Sequence, residues 1–361
     1  MQMVSVIIVN YNSGEHLKQC LSSVLGQSYT NFEVILVDNH STDRSVEYVQ
    51  RNFPEVKVVK NSENLGYGGG NNIGFKNARG EYIVVLNPDT VVDKDWLKEL
   101  VNAIQRRPNV KMVTSKVLLY HDPKRINTCG NDIHFTGLVF SRGFGERENH
   151  YTKEEYVVAP SGCSFLVPRE LIEEIGFFDT ELSNHWLFED TDLAIRLQLR
   201  GYKCLFVPSS KVYHKFALKM DPQRYFMLER GRYLLLLKNF RRPTLILLLP
   251  SLILTEALTW GYALYQERKY ILSKVMAYKW ILKNLHMVLK ERAKVQKLRN
   301  VCDKEILGLT TWKISIPQQW LDQRLFKTIA EAFFNTFYSI SYRLTYRLPV
   351  KCSNQRKKHV D

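Results

Sequence analysis

The chain has 361 residues, 45% of them hydrophobic and 24% charged. That balance excludes a disordered, collagenous or low-complexity protein. It leaves material for two domains, or for one domain with a long appendage. The formal net charge is +15, and residues 241–361 hold 22 Lys and Arg against 8 Asp and Glu, so nearly all of the excess sits in the last third. Such asymmetry points to an anionic partner, either nucleic acid or a membrane surface. The six cysteines form no Cys-x-x-Cys pair, which argues against a zinc ribbon or a disulfide scaffold and for a reducing compartment. The first apolar run, Val4–Val9, follows no basic leader, so no signal peptide is expected.

Strand and helix signals then alternate. Val4–Val9 has the length of a strand. His16–Leu25 carries Leu17, Leu21 and Val24 at helical spacing. Glu33–Val37 is a second strand. Ser41 is expected to cap a helix reaching about Arg51, with Asp43 and Arg44 in its first turn. Val56–Val59 is a third strand, and a helix is expected from about Gly70, after a glycine-rich turn. Tyr82–Leu86 is a fourth strand and Trp96–Arg106 another helix. Repeated strand–helix units with apolar strands predict a mostly parallel α/β sheet covered on both faces.

Ligands of such sheets sit at the carboxyl ends of the strands. There the sequence places Asn10-Tyr-Asn12, then Asp38-Asn39, then Asn61 with the run Asn64–Asn72, then Asn87-Pro-Asp89. Asn, Asp and Gly are ordinary turn residues, but four successive strands deliver them to one rim. The run Asn64–Gly74 could bring backbone amides close to a phosphate, although it has neither the Walker A nor the Rossmann spacing. Asp89 could hold a divalent cation against a diphosphate. Glu189 and Asp190 open a further helix. Either is a dipole partner there or a general base aimed into the cleft, with the dipole expected to lower its pKa. His214, after the short strand Cys204–Val207, is a candidate metal ligand or phosphate contact.

With these motifs in order over residues 1–215, and with Gly162–Val167 and Gly176–Asp179 between them, the sequence resembles the family 2 glycosyltransferases with a GT-A fold, especially rhamnosyltransferase-like members. The resemblance implies a nucleotide-sugar donor site. Asp38 would contact the nucleobase, Asn10 and Asn12 would line base and ribose, and Asn64 and Asn71 would lie near ribose or diphosphate. Asn87 and Asp89 stand where the family has Asp-x-Asp. Asp89 would bind Mg2+ or Mn2+, with His214 completing the site. Asn87 replaces the first aspartate, which should weaken metal binding. Asp190 would be the catalytic base, with Glu189 the other candidate, in a single inverting displacement needing no Ser or Cys nucleophile. Cys163 is expected to be a packed thiol. Trp186 and Phe188 are either a sugar-stacking platform or core.

The last third has a different character. Thr244–Tyr265 is long enough for a membrane span, which needs ~20 residues, but Pro250 interrupts it and Glu256 lies in its middle. A broken interfacial or partly inserted helix pair is therefore expected. Ile271, Val275, Tyr278, Leu282, Leu285 and Leu289 share one helical face, and a later helix carries Phe326, Ile329, Phe333, Phe337 and Ile340. Lys and Arg beside these side chains give the composition of an interfacial module. The alternative is a helical domain with a solvated basic face.

The expected organisation is a GT-A domain over 1–225, a basic amphipathic helical module over 226–350 and a tail over 351–361. The expected function is transfer of a sugar, from deoxythymidine diphosphate-rhamnose or a UDP-sugar, to a hydroxyl of a saccharide acceptor. The acceptor would be lipid-linked and part of cell-surface polysaccharide or glycan synthesis, at the cytoplasmic face of the membrane. Other readings are a metal-dependent nucleotidyltransferase and a basic nucleic-acid-binding protein. The second has no recognised nucleic-acid motif behind it, and no nucleic-acid partner is expected.

Overall fold

A computed structural model describes residues 1–180, 187–216, 220–314 and 324–347, side chains excepted at 324–327. Trp186, the side chain of Phe326 and the tail lie outside the described residues. The chain divides into two compact units. The first comprises Met1–Asn131 with Ser141–Lys219, and the second comprises Asp132–Phe140 with Met220–Asp361.

The first unit is built on a sheet. Strands β1 (Val4–Asn10), β2 (Phe32–Asp38), β3 (Lys57–Lys60) and β4 (Tyr82–Leu86) stand in the order β3-β2-β1-β4, with every pair parallel. Helices α1 (Gly14–Leu25), α2 (Ser45–Asn52) and α3 (Gly66–Asn77) connect them. After β5 (Thr90–Val92) and α4 (Trp96–Gln105), the sheet continues as β4-β11-β6-β12-β10. These later strands are β6 (Val110–Leu119), β10 (Glu155–Val157), β11 (Ser164–Pro168) and β12 (Lys203–His214), with the short strands β7 (Asp122–Thr128), β8 (Asn131–Ile133) and β9 (Val139–Ser141) and the helix α5 (Arg169–Ile175) between them in the chain. β11 runs antiparallel to both β4 and β6, while β12 is parallel to β6. The expected parallel half is thus joined to a second half by one reversed strand, and the sheet as a whole is mixed. Its core is aliphatic: Val6, Ile8, Val84 and Leu86 are almost fully buried, with Leu17, Leu21 and Val24 of α1 and Leu97, Leu100 and Val101 of α4 packed into the same cluster.

Two local expectations change. α2 begins at Ser45, not Ser41, after Arg44 in a left-handed conformation (φ 62°). Ser41 does not cap the helix because its Oγ accepts from Asn10 Nδ2 and from the Asn12 amide. Asp43 serves the helix start instead, accepting from the Ser45 amide and hydroxyl. α3 begins at Gly66, so the glycine run lies inside the helix. A Cβ on Gly70 would stand 2.7 Å from Val9 Cγ1, and one on Gly74 only 2.3 Å from Ile7 Cγ2. The glycines let α3 lie directly on β1. Gly74→Ala is expected to cost about 1–3 kcal/mol through overpacking, measurable as a lower midpoint in urea at unchanged slope.

The second unit is helical: α7 (Pro222–Asn239), α8 (Arg242–Tyr265), α9 (Arg268–Lys283), α10 (Leu285–Leu298), α11 (Asp303–Leu307) and α12 (Arg324–Arg347). α8 is continuous through Pro250, which corrects the expected break. Its buried positions Thr244, Leu248, Ser251, Thr255, Thr259 and Ala263 form one stripe, while Ile246, Leu249, Ile253 and Leu264 are exposed. The expected apolar face of 271–289 is split at Asn284 between α9 and α10, and Leu282, Leu285 and Leu289 are exposed. Lys274 is fully buried instead. Cys20, Cys129, Cys163 and Cys204 are free and buried.

Candidate functional site

The order β3-β2-β1-β4 places successive strands first to one side of β1 and then to the other. The crevice between the ends of β1 and β4 is the topological switch point of this half-sheet. A cleft of about 270 Å³ lies there, walled by Tyr11 and Ser13 after β1, Asn39 after β2, Asn64, Tyr67 and Asn71 around the start of α3, and Asn87 and Pro88 after β4. All of these residues belong to the first unit.

The sequence-selected residues divide into those that face the cleft and those that build it. Asn10 is fully buried, and its Nδ2 points at Asp38 Oδ1 (3.0 Å), Ser41 Oγ (3.0 Å) and Ser45 Oγ (2.9 Å). Asp38 is 4% exposed and also accepts from the Ser41 amide. This pair ties the β1 and β2 ends together behind the cleft. Asn12 is exposed at φ 54° and accepts from the Thr42 amide, fixing the same loop. Asn64 Oδ1 receives the Gly66 amide. Asn71 is 1% exposed. Its Nδ2 donates to Tyr67 O at 2.9 Å, while its buried Oδ1 has no partner. A buried acceptor lining a cleft without a donor is what an incoming ligand N–H or O–H would satisfy. Asn39, which the sequence places at the rim without a role, bridges Gly66 O and Asn61 Nδ2 and lines the same cleft.

Asn87 donates its amide to Cys163 O (3.0 Å), which brings the start of β11 to the rim. Gly162 O accepts the Tyr67 hydroxyl at 2.6 Å. A Cβ on Gly162 would lie 3.0 Å from Asp190 Oδ2 and 3.3 Å from Tyr67 Oη, so a side chain there would crowd both groups. Asp190 stands in the first turn of α6 (Glu189–Leu199). Its Oδ1 accepts from the Thr191 amide at 2.7 Å, and its Oδ2 faces Asn131 Nδ2 at 3.3 Å. Burial pushes the Asp190 carboxyl up to about 6, against the hydrogen bonds from Thr191 and Gly162. This reverses the expected direction: removal from water outweighs the helix dipole. Burial, helped by the neighbouring Asp190 and Glu189, raises the Tyr67 hydroxyl well above its ordinary value. Glu189 is 5% exposed and packs beside Gly68. Phe188 is 2% exposed, which makes it core rather than a stacking platform. Cys163 is the packed thiol expected, 5% exposed.

Asp89 and His214 meet, with Oδ1 and Nε2 3.2 Å apart. β12 brings them together by pairing His214 with Thr90 and Leu119. His214 Nδ1 lies 2.9 Å from Asn127 Oδ1, an acceptor, so Nδ1 carries a proton and Nε2 is left for Asp89. Burial alone would lower the imidazole, but Cys163 and Asp89 raise it to about 10. Burial would raise the Asp89 carboxyl, but the hydrogen bond and charge of His214 hold it below its usual range. Once Nε2 has given up its proton, the two side chains could offer a hard divalent cation one carboxylate and one imidazole, leaving other positions to phosphate oxygens and water. Among the described residues no group of three or more His, Cys, Asp or Glu is placed to hold a metal.

Residues 5–176 match the family model described as glycosyl transferase family 2. A poly-beta-1,6-N-acetyl-D-glucosamine synthase of Staphylococcus aureus is 25% identical over 207 residues, 57% of this chain and 48% of that protein. An uncharacterized protein of Sinorhizobium fredii is 30% identical over 226 residues, 59% of this chain and 24% of its own length. The chain spans between 24% and 68% of the length of the first curated relatives it matches. Among solved structures, S. aureus TarS 1–349 in complex with UDP-GlcNAc has a TM-score of 0.54 at 17% identity, covering 97% of this chain and 95% of that one. GalNAc-T7 with UDP, GalNAc and Mn2+ has a TM-score of 0.52 at 23% identity, covering 61% of this chain and 44% of that one. The fold is GT-A-like.

Proposed function

We propose that this chain, a glycosyltransferase of family 2 by its residues 5–176, transfers a sugar from a UDP-linked donor to a hydroxyl of a saccharide acceptor with inversion at the anomeric carbon. The observation carrying the reading is the cleft at the switch point, with the unpartnered Asn71 Oδ1 in its wall, Asp190 beside Tyr67, and Asp89 paired with His214. A UDP-linked donor is supported by the likeness in fold to the TarS and GalNAc-T7 structures, which hold UDP-GlcNAc and UDP.

Each residue then has a task. Asn39, Asn64 and Asn71 wall the nucleoside side of the cleft, on a frame that Asn10, Asn12 and Asp38 keep in register. Asp190 removes the proton from the acceptor hydroxyl as that oxygen attacks the anomeric carbon, and the nucleoside diphosphate leaves from the opposite face. Asp89 and His214 would hold a Mg2+ or Mn2+ ion, which when bound would neutralise charge on the diphosphate. Asn87 faces the cleft in the position where an aspartate would add a second charge. With one protein carboxylate, cation affinity depends on the bound diphosphate. The exposed apolar side chains of α8, α9 and α12 in a strongly basic region support a monotopic seat on an anionic, cytoplasmic-facing membrane surface, where a lipid-linked acceptor in cell-surface polysaccharide synthesis would be met. α8 is the one helix among the described residues that is long and apolar enough to cross a membrane, with mean hydropathy 1.6. It instead turns its Thr and Glu256 face to its own unit.

The test is thermal stabilisation by UDP, UDP-sugars and deoxythymidine diphosphate-rhamnose, with and without Mn2+. A ligand at ~100 times its Kd adds about 2.7 kcal/mol to native stability. A UDP-dependent shift that Mn2+ enlarges is expected, and Asp89→Ala should abolish the enlargement while keeping a smaller nucleotide shift. No shift with any nucleotide overturns the donor site, and an unaltered Mn2+ effect in Asp89→Ala removes Asp89 from the metal site.

A further inference from the structure

The second unit contains a groove of about 510 Å³, apart from the residues assigned above to transfer. This is within the ~300–1,000 Å³ range of small-molecule sites. Its walls are Leu236 of α7, Leu249 and Leu252 of α8 and Leu282 of α9, and its polar end is formed by Arg232, Tyr233 and Glu256. Leu249 is 50% and Leu282 71% exposed. Apolar walls open at this level are costly in water and suit a hydrocarbon.

The polar end is built around one almost fully buried cation. Arg232 is 1% exposed. One of its terminal nitrogens contacts Glu229, Glu256 and Tyr233. Lys274, fully buried, contacts both Glu229 and Glu256, and Tyr278 also donates to Glu256. Two carboxylates and two cations thus close a neutral cluster. Within it, Arg232 Nε and Nη1 are buried and have no acceptor. A guanidinium with two idle N–H nitrogens next to an apolar groove lacks an oxygen acceptor.

We propose that this groove binds a membrane amphiphile, with an isoprenoid or acyl chain lying along Leu249 and Leu282 and a phosphate head group accepting from Arg232. The hydrocarbon walls select a lipid over a free anion. The proposal rests on the membrane seat suggested above and names where a lipid-linked molecule would be gripped.

The probe is farnesyl phosphate, titrated onto the full chain and followed by calorimetry. Inorganic phosphate and farnesol are the other arms. Farnesyl phosphate should bind, and inorganic phosphate should neither bind nor compete. Leu249→Trp and Leu282→Trp, which fill the groove, should weaken binding by about tenfold or more, ~1.4 kcal/mol. Ile253→Trp, on the exposed side of α8 and outside the groove, should leave it unchanged. A diazirine-bearing farnesyl phosphate should cross-link to α8 and α9 in the unsubstituted protein, a readout independent of how the variants fold. Adducts elsewhere, competition by inorganic phosphate, or no binding would each overturn the proposal. The UDP-dependent thermal shift, recorded on the same samples, separates this failure from failure of the transferase reading.

Discussion

Asp190→Asn is expected to lower the transfer rate by about 10²–10⁴-fold while leaving the nucleotide-dependent thermal shift intact. The Asn keeps an oxygen for the Thr191 amide but cannot take a proton from the acceptor. A pH profile adds a sharper test. Burial holds the carboxyl at about 6, so below that pH Asp190 keeps its proton and cannot serve as base. The rate should fall as pH drops through about 6 and level off above it. Stability should show the opposite trend. Between the ordinary carboxylate range and 6, the folded state holds a proton that the unfolded chain has released, so stability falls as pH rises across that window. Asp190→Asn should lack that fall. A flat rate profile from pH 5 to 8, or turnover retained in the variant, removes Asp190 from the role of base.

Arg196→Met should be among the most damaging single changes in the first unit. Arg196 pairs with Asp192, both almost fully buried, with Nε and Oδ2 2.8 Å apart. Its other nitrogens donate to the carbonyls of Ile175, Gly176 and Phe177. Removing the guanidinium takes the Arg196 charge away from a buried carboxylate, at a cost of about 3–5 kcal/mol, and frees three carbonyls as well. The damage should reach the cleft, because Phe178 packs on Tyr67 with ring centroids 5.4 Å apart. We expect a Tm lowered by many degrees and weaker nucleotide binding in the protein that remains folded. A loss of stability below ~1 kcal/mol would mean that Asn72, which brackets Phe178 through its amide and carbonyl, holds this loop unaided.

The parallel half of the sheet was legible because its strands are apolar runs of the right length, and its rim because Asn and Asp follow each of them. The roles of those residues were not legible. Asn10 and Asp38 look like ligand contacts in sequence, yet in the fold they spend their side chains on each other and on Ser41 and Ser45. Burial decides between the two uses, and a turn sequence does not encode burial. Gly162 stands in sequence only as part of a family motif, and nothing there places it at the rim. β11 runs against its neighbours, so its amino end arrives where the others finish. Asn127 and Asn131 had no local signal, since only the fold brings them to His214 and Asp190. In the second unit the apolar period was visible, but the side that packs was not. Lys274 is buried because Glu229 and Glu256 await it, while Leu282 is left outside.

The reversed strand also bears on biosynthesis. Asp89 emerges from the ribosome long before Gly162, Asp190 and His214, and none of the later three follows it by a local turn. A nascent chain can pair β1 through β4 early, but the rim stays open until β12 has been made and has slotted between β6 and β10. Closing contacts so distant in sequence is slow, and the half-formed sheet would expose the β4 edge that β11 later covers. Shortened chains that stop before His214 should therefore be prone to aggregate, and the ability to bind nucleotide should appear only at the end of the first unit's synthesis.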